Sequence, residues 1–457
     1  MHSLIALSEE YYTHPPSGLA AHSSSQEECM SPNTPFFTYS NLLSQNLKER
    51  NIRVKEIVAG TDRLVFFIAV DGSVYVLGKV DKCTNGMTKD AVEDWKLKNP
   101  TKEFLDFPQC IVRGSEKPME KVIIGFKHTL FLAKDGEIYG CGDNDRKQMN
   151  FEGFHISRAF GLRKIVIPNE PTTKFKLACS GCDFSVYITN DGRMFSSGGN
   201  YSGQCGIGVY RDVVMTEVDY KAQLERLHAP CTTITNIKAT YNTTIFMTAD
   251  RKLFAFGDNS YGCCGCGEQY QRDNHNIIRV GMSSPEFLKE EIADFSCGLF
   301  FVGVITCRND VYVLGYNNFC QISCNHRTQI CTPTKITQFN GIAQSISCGG
   351  YHSILLTTDM RVFGTGDTSD YAFFKIGAQY DRFTEINLEP MFGKKKHDRN
   401  KKKKTFAISA GISHSVVYTL STSLSLCFPF MNRVLIAANH LSDVDILFLN
   451  EDVDMIM

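Results

Sequence analysis

One pattern returns along this chain at fixed internal offsets: an apolar run, a two-residue turn, a second short apolar run and, in all but the last copy, a glycine. The first copy reads Phe66-Phe67-Ile68-Ala69-Val70-Asp71-Gly72-Ser73-Val74-Tyr75-Val76-Leu77-Gly78. The turn recurs as Asp135-Gly136, Asp191-Gly192, Asp250-Arg251, Arg308-Asn309, Asp359-Met360 and, in a worn seventh copy, Ser421-Thr422. Two residues before it stand Ala69, Ala133, Thr189, Thr248, Thr306, Thr357 and Thr419. Three after it stand Val74, Ile138, Met194, Leu253, Val311, Val362 and Leu424, followed by an aromatic in six copies. Seven after it comes glycine six times: Gly78, Gly142, Gly198, Gly257, Gly315 and Gly366.

Short β-branched and aromatic runs joined by a two-residue Asp-Gly turn read as β-hairpins. The glycine supplies the positive φ with which the chain leaves the hairpin sharply. A lone hairpin cannot bury its faces, so the copies must stack on one another. A ring of small sheets meets that need and protects strand edges. The expected fold is therefore all-β, a seven-bladed β-propeller. A linear solenoid is the rival, and it needs capping ends and usually shorter units. Residues 1–50 form a lead-in, with Phe36-Phe37-Thr38-Tyr39 and the Ile52-Arg53-Val54 region as donors of ring-closing strands. The propeller occupies 51–430 and a tail 431–457.

The sixth copy contains Ser347-Cys348-Gly349-Gly350-Tyr351-His352-Ser353, and the third Gly199-Asn200-Tyr201-Ser202-Gly203-Gln204-Cys205-Gly206-Ile207-Gly208. On these residues the chain resembles the regulator of chromosome condensation family of seven-bladed propellers, over roughly residues 50 to 430. The resemblance implies a rim that engages a small Ras-like GTPase, of the Ran type, and loosens its nucleotide, so that the protein acts as a guanine-nucleotide exchange factor. The seventh copy keeps Gly411 and His414-Ser415 but loses the Asp-Gly turn and the closing glycine. The segment from Leu441 to Leu449 is similar to the opening strand of a BTB/POZ domain. The other reading is accordingly a non-catalytic scaffold or adaptor of propeller–BTB ancestry.

His128, His352 and His414 lie seven residues before their turns, and the Gly-x-Asn/Asp loops begin seven residues after them. Seven residues out and seven back return the chain to the same blade edge. One rim therefore carries His128, His352, His414, Asn144, Asn200, Asn259, Asn317, Asp143, Asp258 and Asp367, while the Asp-Gly turns share the other rim. The histidines read either as ties between loops or as partner contacts. The asparagines read either as turn caps through their own backbone or as contacts. The aspartates point to a partner, since a turn does not require carboxylates there. Between the first two hairpins, Thr88 to Asn99 suits a short amphipathic helix carrying Trp95, either a partner loop or a helix packed on the ring.

Lys394, Lys395, Lys396, Arg399, Lys401, Lys402, Lys403 and Lys404 form a basic run between the sixth and seventh copies. It is either a solvated loop or a salt-sensitive contact, and nucleic acid binding is expected only through it. The formal net charge of −1 excludes a surface devoted to nucleic acid or anionic membrane. The first 47 residues hold no lysine or arginine, so the basic arm of a chromatin-bound member is missing. Cys179-x-x-Cys182 has zinc-like spacing but occupies repeat slots, as do Cys263, Cys264 and Cys266. Eighteen cysteines in 457 residues are too few for a disulfide scaffold. Gly262 to Gly267 lacks the Lys-Ser/Thr of a phosphate loop, and no nucleophile elbow or paired carboxylates stand out. No metal, cofactor, covalent catalysis, signal peptide or membrane span is expected. The expectation is an intracellular monomer, cytoplasmic or nuclear, that binds a small GTPase or another protein.

Overall fold

Each of the first six repeats folds into a four-stranded antiparallel meander whose second and third strands are the hairpin read from the sequence. The computed structural model describes residues 46–47, 49–61, 64–80, 83–105, 107–151, 156–267, 274–322, 327–367, 380–386, 406–412, 414–419, 424–429 and 444–449. The six blades span 54–112, 119–165, 175–218, 234–279, 292–336 and 343–386. In each the first strand lies innermost and packs on the first strands of its neighbours.

The seven blades expected from the repeat count are not what forms. Six are regular, and the seventh repeat builds a sheet of another kind. Its inner strands Phe406–Ala410 and Ser415–Thr419 pair antiparallel and sit between the sixth and first blades. Its outer strand Leu424–Pro429 is joined in parallel by Val444–Leu449. The segment resembling a BTB/POZ opening is thus taken up as a propeller strand. The proposed donor at Ile52-Arg53-Val54 instead leads into Val54–Ala59, the inner strand of the first blade. Phe36 to Tyr39 and the basic run 394–404 lie outside the described residues.

The second strands are buried along their length, as in Phe184–Thr189 and Phe301–Thr306, with Met247 of the fourth blade only partly so, because a neighbouring blade covers each face. The core is consequently a series of wedges between blades. Phe184, Val186 and Cys179 of the third blade meet Phe246, Phe254 and Ile237 of the fourth. Cys263, Cys264 and Cys266 fill the next wedge with Phe295 and Val302 of the fifth.

The hairpin turn differs from the expected two-residue form. Gly72 N–H donates to Ala69 O at 2.9 Å and Ala69 N–H to Ser73 O at 2.8 Å, so three residues, Val70 to Gly72, make the loop. This is a type I turn closed by a left-handed residue, in which only the last position needs positive φ. That position is Gly72, Gly136 or Gly192 in three blades and Arg251, Asn309 or Met360 in the others, all at φ between 61° and 89°. The recurrent threonine has a defined task there. Thr357 Oγ1 donates to Asp359 at 2.5 Å and accepts from Arg361 N–H at 3.1 Å, and Thr189 and Asp191 repeat the arrangement.

The closing glycines are more demanding. All six have φ between 111° and 128°, and a Cβ on Gly142 would stand 2.6 Å from the backbone of Lys127 and His128. Gly142→Ala should therefore cost about 3 kcal/mol or more. Arg251→Gly, at a turn already left-handed, should stay within about 1 kcal/mol of wild type. Urea unfolding of the two variants checks this asymmetry.

Candidate functional site

The antiparallel register places His128 opposite Gly142 and His352 opposite Gly366, so the strand 1–2 turns and strand 3–4 loops share one face. The inner strands converge there on a central mouth lined by Gly60, Gly125, Gly181, Thr240, Gly298, Gly349 and Gly411 with their neighbours. Backbone hydrogen bonds run from turn to turn around it. Phe126 N–H donates to Gly181 O, Cys182 to Tyr241, Tyr241 to Leu299, Leu299 to Gly349, Gly350 to Ile412 and Ile412 to Gly60, at 2.8–3.3 Å. Added Cβ atoms on Gly125, Gly349 and Gly411 would lie 2.4–2.5 Å from a carbonyl oxygen of the next blade. Glycine is needed here for close approach.

The histidine and asparagine side chains are buried within the ring. His128, His352, His414, Asn200, Asn259 and Asn317 are fully or almost fully buried, and Asn144 is 3 % exposed. His128 Nε2 lies 2.7 Å from Ser185 Oγ and 2.6 Å from Ser180 Oγ of the next blade, and His352 Nε2 lies 2.7 Å from Ser415 Oγ. The asparagine side chains shape the loops. Asn144, Asn200 and Asn259 Oδ1 each accept at 2.8 Å from the amide five residues on, and Asn317 does so at 3.2 Å. Each shaped loop is then held by the following blade. Thr244 Oγ1 donates to Gln204 O at 2.9 Å, Ser197 Oγ to Gln148 O at 2.9 Å, and Ser353 Oγ to Gln321 O at 2.7 Å.

Asp143, Asp258 and Asp367 are half-buried at one repeat slot on this face. Asp143 Oδ1 accepts from Asp145 N–H at 3.3 Å and Asp258 Oδ1 from Ser260 N–H at 2.7 Å, so both carboxylates serve their turns after all. An asparagine would make the same bond; the negative charge is what the turn does not use. Nearby, Asp183 is largely buried, and desolvation raises its pKa against the opposing pull of Lys127 and Arg146. Trp95 sits on a helix, Lys89–Lys98, capped by Thr88, as the sequence suggested. Its ring is half-buried against the core of the first blade, and Leu97 is the side chain turned outward, at 83 % exposure. Cys179 and Cys182 are buried, which pushes both thiols up, Cys182 to about 12.

A group that the repeat pattern concealed lies on the same face. Phe126, Tyr241, Phe300, Tyr261, Tyr316, Phe319 and Tyr351 form a chain of ring contacts, each link 4.8–6.4 Å between centroids. The signal was a break in the columns. Phe300 and Tyr351 stand where other copies have Lys127, Asp183 or Asn242, and Tyr316 stands where three copies have aspartate.

Comparison with known proteins agrees with the repeat reading. The profile described as Regulator of chromosome condensation (RCC1) repeat matches residues 121–148, 234–263, 308–356 and 343–371. The chain carries repeats of this type and folds as an all-β propeller of that kind. It is 26 % identical to the mouse X-linked retinitis pigmentosa GTPase regulator over 79 % of its own length and 31 % of the relative's. To the human regulator of chromosome condensation it is 21 % identical, over 65 % of this chain and 68 % of that protein. The chain thus spans about a third of the length of the first relative. Among solved structures, yeast RCC1 (Prp20) bound to Kap60 superposes with a TM-score of 0.62 at 15 % identity, covering 81 % of each chain. Human WBSCR16 superposes equally well, at 16 % identity over 82 % of this chain and 88 % of that one. Among the described residues no helix is long and apolar enough to cross a membrane.

Burial holds the His128 and His352 imidazoles neutral, with pKa lowered to about 3. The unfolded chain takes up protons at these positions below about pH 6.5 while the native one does not, so stability falls as pH drops from 6.5 toward 3. Each histidine should contribute a slope of roughly 1 kcal/mol per pH unit. Urea midpoints at pH 7, 6 and 5 should fall less steeply in His352→Gln than in wild type.

Proposed function

We propose that this propeller binds a small Ras-like GTPase through the face bearing the central mouth and promotes release of its bound GDP. The observation that carries the reading is the rim itself. Asp143, Asp258 and Asp367 repeat at one height around the ring, half-buried, and the next blade holds the first two of these loops, by Ser197 Oγ donating to Gln148 O and Gln329 Nε2 to Ser260 O, each at 2.9 Å. Fixed carboxylates around such a ring suit the basic, phosphate-binding side of a nucleotide pocket once its ligand has gone. One relative is by name a GTPase regulator, and a yeast neighbour of the same fold, Prp20p, was solved with attention to its binding of Gsp1p and histones. The chemistry required is differential affinity. A face that binds the empty GTPase more tightly than the loaded one lowers the free energy of the nucleotide-free complex, and the nucleotide leaves faster. No covalent step is involved. Such a protein works in the cytoplasm or the nucleus, as a monomer facing its partner. The scaffold reading keeps the same face but lacks the differential affinity.

The test is release of a fluorescent GDP analogue from a panel of small GTPases that includes a Ran-type member. Wild-type protein should accelerate release. The triple variant Asp143→Asn, Asp258→Asn, Asp367→Asn keeps the turn hydrogen bonds and removes only charge, and it should lose at least tenfold of that acceleration, about 1.4 kcal/mol. Unchanged release across the panel with folded protein would remove the exchange reading and leave the scaffold.

A further inference from the structure

Among the described residues, none of the seven rings on the mouth face belongs to the apolar clusters that hold the blades together. They pack on one another above those clusters, in edge-on and tilted pairs such as Phe319 with Tyr351 at 4.8 Å and Tyr261 with Tyr316 at 5.2 Å. Phe126 and Tyr241 start the strip at the mouth. Phe300 and Tyr316 carry it over the fifth blade, and Phe319 and Tyr351 take it to the sixth. All seven retain solvent exposure, Tyr261 most of all at 36 %. Large rings placed outside the core, on backbone fixed by the inter-turn hydrogen bonds, form a preorganised apolar platform.

Charge decides what lies on it. Tyr316 occupies the slot held by Asp258 in the fourth blade and Asp367 in the sixth, so carboxylates flank the strip at its own height on both sides. Asp258 lies close enough to raise the Tyr261 hydroxyl pKa, after burial, and among the described residues it forms no ion pair with a lysine or arginine. The strip is narrow, one or two rings across, and on the order of 20 Å long, which matches six or seven residues of extended chain at ~3.3 Å each. A ladder of rings with anionic flanks suits a preformed extended segment, whose proline or aliphatic side chains settle between rings while its cations reach the carboxylates.

We propose that the aromatic strip from Phe126 to Tyr351 is a docking groove for a linear, extended peptide segment that carries proline or another apolar anchor with lysine or arginine beside it. The site goes beyond the exchange reading and does not depend on it.

The test is selection of ten-residue peptides from a random display library on the full chain, followed by fluorescence anisotropy of the recovered sequences as synthetic peptides. Recovered peptides should place lysine or arginine within three positions of an apolar anchor. Tyr316→Ser and, separately, Phe319→Ser should raise Kd at least tenfold without lowering the thermal midpoint more than a few degrees, since neither ring supports the core. Glutamate in place of the peptide cations should abolish binding. Failure to recover any peptide, recovery of acidic peptides, or binding indifferent to both variants overturns the proposal. Loss of GTPase capture in the strip variants with no peptide bound also overturns it, by assigning the rings to a folded partner. Nucleotide release measured on the same variants separates the two readings: exchange can fail while peptide binding stands, and the reverse.

Discussion

Everything on the mouth face depends on how closely the blades approach one another at their inner tips. Six amide-to-carbonyl bonds between consecutive strand 1–2 turns set that spacing. Glycine at the tips of every blade but the fourth, where Thr240 takes the place, leaves room for that approach. A methyl group on Gly349 or Gly411 would push against the oxygen of the neighbouring blade and pry the ring open. With the tips joined, the second strands are pressed between two sheets, and the apolar wedges follow from that.

The same joining explains why the recurrent histidines and asparagines are buried. A loop leaving the third strand must satisfy buried backbone groups far from solvent. The buried asparagines do this inside the loop, and hydroxyls such as Thr244 Oγ1 do it from the next blade. His128 and His352 bridge blades in a related way, with ring nitrogens against serine hydroxyls. The buried polar residues that recur from repeat to repeat are therefore occupied with the repeat. The half-buried Asp143, Asp258 and Asp367 keep access to solvent, as do the slots where the copies disagree, several of which the aromatic strip occupies.

Much of the fold was legible because hairpin chemistry is local. The closing glycines announced positive φ, and all six adopt it. The turn itself differs, since Asp-Gly suggests a two-residue turn while the backbone bonds close a three-residue loop that side chains such as Thr357 and Asp359 stabilise. The seventh repeat was seen as worn, yet nothing local indicated that Val444–Leu449 would pair in parallel with Leu424–Pro429. Parallel pairing is a long-range event with no turn signature. The helix carrying Trp95 was legible as an amphipathic stretch between Thr88 and Asn99, whereas its capping by Thr88 and the direction of the ring, inward onto the first blade, come from the fold.

The inter-turn bonds have one further property. Each runs from the amide of one blade to the carbonyl of the next in the same rotational sense, so the peptide groups around the mouth stand head to tail along a circle. Dipoles laid tangentially at six of the seven steps around a ring have almost no component along its axis, in contrast to those of a helix, which add along the axis and give each end a sign. The backbone of this opening accordingly has almost no polarity toward anything approaching along the axis. Whether a cation or an anion is drawn to it falls to a few side chains, and those side chains can change without disturbing the circle that holds the blades together.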